Sequence, residues 1–125
     1  MKRFVIAVCI LITTVVFSIY GYFSICSRID SVITLMQNDR ELTVSQNKIE
    51  ASRTKEILDE WENHETFLVS MLTHYELEEV EMGIRCLKDY MNQNLMEEYL
   101  ETLNECINQL THVKETELPD LKNIF

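Results

Sequence analysis

Residues 57–75 read ILDEWENHETFLVSMLTHY. Ile57, Trp61, His64, Leu68, Met71 and Tyr75 recur at intervals of 4, 3, 4, 3 and 4, which places them on one face of an α-helix. Leu58 and Leu72 widen that face. A second seam follows at Val80, Ile84, Leu87 and Met91, spaced 4, 3 and 4. The two seams differ in phase by about one residue, which favours a break near His74–Glu79. Neither glycine nor proline marks a turn there, so one continuous helix is the alternative.

Beyond the second seam, Asn92-Gln93-Asn94 interrupts the pattern. Asn94 is expected to cap a further helix, whose early Glu97 and Glu98 complement the helix dipole. That helix buries Met96, Tyr99, Leu100, Leu103, Cys106, Ile107, Leu110 and Val113. Pro119 ends it, since proline disfavours helical geometry in the residue before it.

Working back toward the N-terminus, Phe4–Cys26 (FVIAVCILITTVVFSIYGYFSIC) holds 23 residues and no charge. As a helix it is roughly 34 Å long, enough for a hydrocarbon core of about 30 Å. Lys2 and Arg3 precede it and favour a cytoplasmic N-terminus, with the rest of the chain outside. Tyr20, Tyr22 and Phe23 suit the far boundary. A cleaved signal is a poorer reading: its apolar region is shorter, and Ser24 with Cys26 makes a weak cleavage site. Ile25 is not the small residue that a lipoprotein signal puts before cysteine. A pilin-type signal fails because no acid follows Gly21 until Asp30. The expectation is an uncleaved anchor that contacts membrane lipid.

Ile29, Val32, Ile33 and Met36 keep helical spacing for some two turns past the anchor, and Asn38-Asp39 is the expected stop. Thr43 and Gln46 have the spacing of a capping box for the next helix. The predicted organisation is a cytoplasmic tip and anchor (1–26), an extension and linker (27–42), a helical bundle (43–118) and a tail (119–125). The predicted fold class is all-α, an N-terminal transmembrane helix continuing into a small antiparallel bundle.

Composition narrows the function classes. Two glycines and one proline in 125 residues leave little for sheet turns or phosphate-cradling loops. A formal charge of −10 argues against nucleic acid as a partner. Residues 27–125 carry nine basic and 21 acidic side chains, a net −12, so this portion is expected to stand off the bilayer.

Chemical candidates are few. His64 lies within the seam and reads as a half-buried imidazole bonded to a carboxylate on a neighbouring helix; the competing reading is a pH- or ligand-sensing group. Glu76, Glu78, Glu79 and Glu81 form an acidic cluster, read as a solvated helix start or as a docking surface for a basic partner. No metal site is expected, because the residues three before His64, His74 and His112 are Trp61, Met71 and Gln109 rather than glutamates. Cys86 and Cys106 are expected out of register, and with Cys9 and Cys26 they read as free thiols. Gly83 inside a helix implies close approach of another helix. No nucleophile–base spacing points to catalysis, and no cofactor is expected. Ala7, Thr14 and Gly21 recur every seven residues, and Ser18 falls four after Thr14, a small-residue stripe suited to helix pairing in a membrane.

Trp61-x-x-His64, Leu68, Leu72, His74-x-Glu76-Leu77-Glu78-Glu79-Val80-Glu81, Ile84, Leu87, Tyr90 and the closing Leu121-Lys122-Asn123-Ile124-Phe125 together resemble an uncharacterised family of short, membrane-anchored bacterial proteins, catalogued as a domain of unknown function. The resemblance implies a single-span, all-helical envelope protein of spore-forming bacteria, often encoded near a multi-span membrane protein. It brings no activity. The expected function is a non-enzymatic accessory protein that binds an integral membrane protein. The alternative is an extracytoplasmic sensor of a small ligand or pH. With only Met1–Arg3 on the cytoplasmic side, a sensor would also need a membrane partner.

Overall fold

The computed structural model describes residues 1–72 and 74–116, and the side chains of all of these except His74, Tyr75, Glu76 and Thr116. Four helices follow one another: α1 (Lys2–Gln46), α2 (Ala51–Met71), α3 (His74–Gln93) and α4 (Met96–Thr116). Short connections force sequential neighbours to run antiparallel. Each helix packs on the next and α4 closes on α1, so the four form a ring around one core. The fold is all-helical, as the spacing predicts.

The core is built from four stripes of one period. Ile25, Ile29, Val32 and Met36 come from α1; Ile57, Trp61 and Leu68 from α2; Leu77, Val80, Ile84 and Leu87 from α3; Tyr99, Leu103, Cys106, Leu110 and Val113 from α4. All are buried, and each large aliphatic side chain so placed contributes about 1.5–3 kcal/mol of hydrophobic stabilisation.

Several sequence expectations need correction. The helix does not stop at Asn38-Asp39; α1 runs on to Gln46, and Asp39 and Thr43 are buried members of its inward face. Thr43 is therefore a helix-interior residue and makes no capping box with Gln46. The chain leaves α1 at Asn47, in the left-handed region at φ 51°. Helix α2 starts after Glu50, which makes no side-chain capping bond. Asn94 is likewise at positive φ (56°), and it closes α3 rather than opening α4. Its N–H bonds the Met91 carbonyl at 3.1 Å and that of Leu95 bonds Tyr90 at 2.9 Å, the paired closure of a Schellman motif.

The seams do break, slightly earlier than expected: Leu72 is extended (φ −120°, ψ 166°) and α3 begins at His74. Met71 leaves the seam and is exposed, because it is the last helical residue where the bundle ends. The Tyr75 side chain, Pro119 and the closing residues 121–125 lie outside the described residues. Gly83 behaves as expected: a Cβ there would lie 2.5 Å from Cys106 Sγ, so α3 and α4 meet with no room for a side chain.

Candidate functional site

Polar side chains collect at two levels of the bundle. At the end remote from the apolar segment, Asp39 is 1% exposed and accepts three hydrogen bonds. Arg53 Nε donates to Oδ1 at 2.9 Å, the Thr43 hydroxyl donates to Oδ1 at 3.2 Å, and the Tyr99 phenol donates to Oδ2. With its own proton committed to Asp39, Tyr99 accepts from Thr54 Oγ1 at 2.7 Å. Burial, then the bond to Asp39, pushes the Tyr99 phenol above its ordinary range. Arg53 also reaches Glu50 at 2.6 Å, clamping the α1–α2 turn. A buried carboxylate with every partner supplied locks three helices together.

At the other level, His64 is held between two helices. Its Nε2 lies 2.6 Å from Glu60 Oε1 and its Nδ1 lies 3.0 Å from Arg28 Nη1. The carboxylate is thus on its own helix, not a neighbouring one as the sequence suggests; the neighbour contributes Arg28. A guanidinium only donates, so Nδ1 accepts and the ring proton sits on Nε2, donated to Glu60. Ser31 donates to the same Glu60 oxygen at 2.7 Å. That bond, then the one to His64, holds the Glu60 carboxyl below its usual range. The Arg28 guanidinium also lies over the Phe67 ring, 4.1 Å from its centroid.

The acidic cluster is dispersed over the surface of α3. Glu78 and Glu79 are exposed, and Glu79 accepts a 3.4 Å bond from Gln109. Glu81 pairs with Arg85 at 2.7 Å. The Glu76 side chain lies outside the described residues. Glu81 does have an unforeseen neighbour: Glu65 on α2 hydrogen-bonds it. Burial, then the charge of Glu81 and that bond, raises the Glu65 carboxyl. Both line a groove of about 680 Å³ between α2 and α3, together with Trp61, Lys55, Ile84 and Lys88. Trp61 is 3% exposed and its indole N–H has no hydrogen-bond partner among the described residues. No sequence signal pairs Glu65 with Glu81, since both sit among acids that read as solvated.

All four cysteines are free thiols. Cys86 and Cys106 are out of register, as expected: Gly83, not Cys86, faces the Cys106 sulfur, and Cys86, three residues further on, lines the same pocket between α3 and α4 beside Tyr90. Burial, chiefly, pushes the Cys106 thiol up to about 12. Among the described residues, no three His, Cys, Asp or Glu side chains converge as metal ligands would.

The apolar segment of α1 is exposed along its length from Lys2 to Tyr20. Ala7, Thr14 and Ser18 are all exposed; the hydroxyls of Thr14 and Ser18 bond the carbonyls one turn back, at 2.8 and 2.9 Å. Gly21 is half-buried, and a Cβ there would lie 3.7 Å from Met71 Cε, so the end of α2 covers this point of the stripe.

This architecture defines a four-helix bundle whose first helix carries a stretch long and apolar enough to cross a membrane, a property shared by membrane spans and signal sequences. The family described as Domain of unknown function (DUF4363) matches residues 18–124, and the chain belongs to it. Comparison with curated proteins found no match. Comparison with solved structures found none either.

Proposed function

We propose that this chain is a non-enzymatic, single-pass membrane protein of bacteria, with a cytoplasmic N-terminus and an extracytoplasmic bundle. In this reading it serves as an accessory subunit of a multi-span membrane protein. One observation carries the anchor reading: α1 is unbroken from Lys2 to Gln46, exposed and apolar in its first half and part of the bundle core in its second. Packing on the rest of the chain begins at Gly21 and Tyr22, and Ile25 is already buried. Cleavage at the end of the apolar run would cut into the folded bundle, so an uncleaved anchor fits better than a signal. The bundle then meets the bilayer surface directly, rather than standing off it as its charge alone suggests.

The exposed stripe of Ala7, Thr14 and Ser18 supports binding through the anchor. Small residues permit close helix approach where apolar burial between helices gains little. A photo-crosslinking residue at Thr14 is expected to capture a multi-span protein in native membranes, whereas one at Val16 is not. Adducts to lipid alone at both positions would sink the partner reading. Orientation is tested by Glu101→Cys in a Cys86→Ser background, expected to react with an impermeant thiol reagent on intact cells. Labelling that needs lysis would reverse the topology.

The sensor reading draws on His64. Its Nδ1 accepts from Arg28 of α1 while its Nε2 faces Glu60 of α2. Protonation would set an N–H against the guanidinium and strengthen the tie to Glu60, loosening α1 from α2. A pH-dependent change in Phe67 environment that His64→Gln abolishes would support sensing; an unchanged signal in both proteins would reject it.

A further inference from the structure

We propose that the pocket where α1 leaves its apolar segment binds the phosphodiester headgroup of a lipid in the bundle-side leaflet, with Arg28 as charge partner and Ser24 and Ser27 as hydroxyl donors. The inference rests on the anchor reading above. The pocket, about 440 Å³, is lined by Tyr20, Phe23, Ser24, Ser27, Arg28 and His64, within the size range of small-ligand sites.

Three observations converge on this occupant. The first is depth. Arg3 and Arg28 bound the uncharged run, and 25 helical steps separate them by roughly 37 Å. A bilayer is about 30 Å thick in its hydrocarbon core and about 40–45 Å with its headgroups. Both guanidinium groups therefore lie in headgroup layers, on opposite faces, at the level of the phosphates.

The second is charge. Arg28 is oriented by the Phe67 ring and by Nδ1 of His64, both uncharged partners. Glu60, the carboxylate nearest in this network, is engaged by Ser31 and His64 instead. Among the described residues Arg28 has no ion pair, so its positive charge is held in place but not neutralised. A planar, oriented guanidinium is suited to bidentate binding of a phosphate. The third is surroundings. Ser24, Ser27 and Arg28 stand at i, i+3 and i+4 and so share a face. Tyr20 and Phe23 expose most of their rings beside it, as aromatic side chains do at the membrane–water boundary. The net −12 of residues 27–125 opposes general attraction to anionic surfaces. The expectation is therefore one lipid held at one site, not a charged film.

The test uses the full chain purified in an uncharged maltoside detergent, with dioleoyl phosphatidylglycerol added and the bound lipid counted by native mass spectrometry. Wild type is expected to retain one lipid. Arg28→Gln should lower occupancy by about tenfold, the scale of one lost charge-assisted pair. Arg40→Gln, which removes an arginine farther along α1, should leave occupancy unchanged. If Arg28→Gln loses helicity, Ser24→Ala with Ser27→Ala decides; it leaves the Arg28–His64 bond in place and should lower occupancy by about threefold. Full retention by the folded variants, or equal loss in Arg40→Gln, would overturn the proposal. So would displacement of the lipid by millimolar inorganic phosphate, which would assign the site to the free anion. Extraction of wild type from membranes by alkaline carbonate would instead refute the anchor reading. Resistance to extraction together with absence of bound lipid would refute the headgroup site alone.

Discussion

The phenol of Tyr99 on α4 donates a hydrogen bond to Oδ2 of Asp39 on α1, joining residues sixty apart in the chain inside the protein core. Around it, Arg53, Thr43 and Thr54 complete every demand of the carboxylate and the phenol. This junction fixes the register of α1 against α2 and α4. It also explains why α1 stays helical for two turns beyond Asn38.

Tyr99→Phe removes one donor from a buried carboxylate and should lower stability by about 1.5–3 kcal/mol. Asp39→Leu leaves Arg53 paired with Glu50 and takes the acceptor from the buried Tyr99 phenol, which should cost about 1–3 kcal/mol. In the Asp39→Leu background, adding Tyr99→Phe should cost much less, because the bond it deletes is already gone. Urea unfolding of the full chain in detergent, followed by helical circular dichroism, measures all three. Strict additivity of the two changes would show that the residues act independently.

The same junction marks where the sequence stops being legible. Ile25, Ile29, Val32, Met36, Asp39 and Thr43 hold one unbroken 4, 3, 4, 3, 4 spacing along α1. Apolar periodicity reads only the first four, and the polar pair then looks like a helix end. What makes Asp39 a core residue is Arg53 and Tyr99, brought to it by tertiary packing. His64 shows the same gap: its place in the seam is visible, but Arg28 reaches it from 36 positions away. The apolar run and the helical seams are local properties, and those the sequence displays plainly; Gly83 stands out within its helix, but what requires it is Cys106 of α4. Glu65 and Glu81 are invisible as a pair because both carry the charge expected of an exposed face.

Glu65 gives stability a specific pH dependence. Its carboxyl is raised by burial and by Glu81, so the folded protein binds this proton more tightly than the unfolded chain does. The stabilisation it provides is complete below the ordinary glutamate range and is lost as pH rises through the raised value. Glu65→Gln should therefore be more stable than wild type at neutral pH, with the advantage fading on acidification toward about pH 4.5. Thermal unfolding in detergent across that range checks it. An advantage that stays constant with pH would mean that Glu65 is not a strained carboxylate.

Gly83→Ala sets two effects in opposition. Alanine favours the helix by about 1 kcal/mol, but its Cβ would lie 2.5 Å from the sulfur of fully buried Cys106. Overpacking of this kind costs about 1–3 kcal/mol, so the net change should be destabilising. Removing the obstacle reverses the sign: in a Cys106→Ala background, Gly83→Ala should stabilise. The same unfolding measurement on the four proteins tests this, and a stabilising effect in both backgrounds would show that α3 and α4 are not in close contact.

Asn94 tests how α3 is closed. Its φ of 56° lies in the left-handed region, where a residue with a β-carbon is strained by about 1–2 kcal/mol and asparagine is better tolerated than most. Its N–H and that of Leu95 satisfy two carbonyls at the end of α3, so the strained conformation is fixed by hydrogen bonds rather than chosen freely. Asn94→Gly should raise stability by several tenths of a kcal/mol, since glycine adopts this conformation without steric cost. Asn94→Ala should lower it by about 1 kcal/mol, because alanine tolerates the left-handed conformation less well than asparagine does. Had Asn94 served as an N-cap for α4, alanine would still be harmful, and glycine would cost a few tenths rather than help. The sign of the glycine substitution therefore separates the two roles, and a loss of stability in Asn94→Gly would return Asn94 to the start of α4.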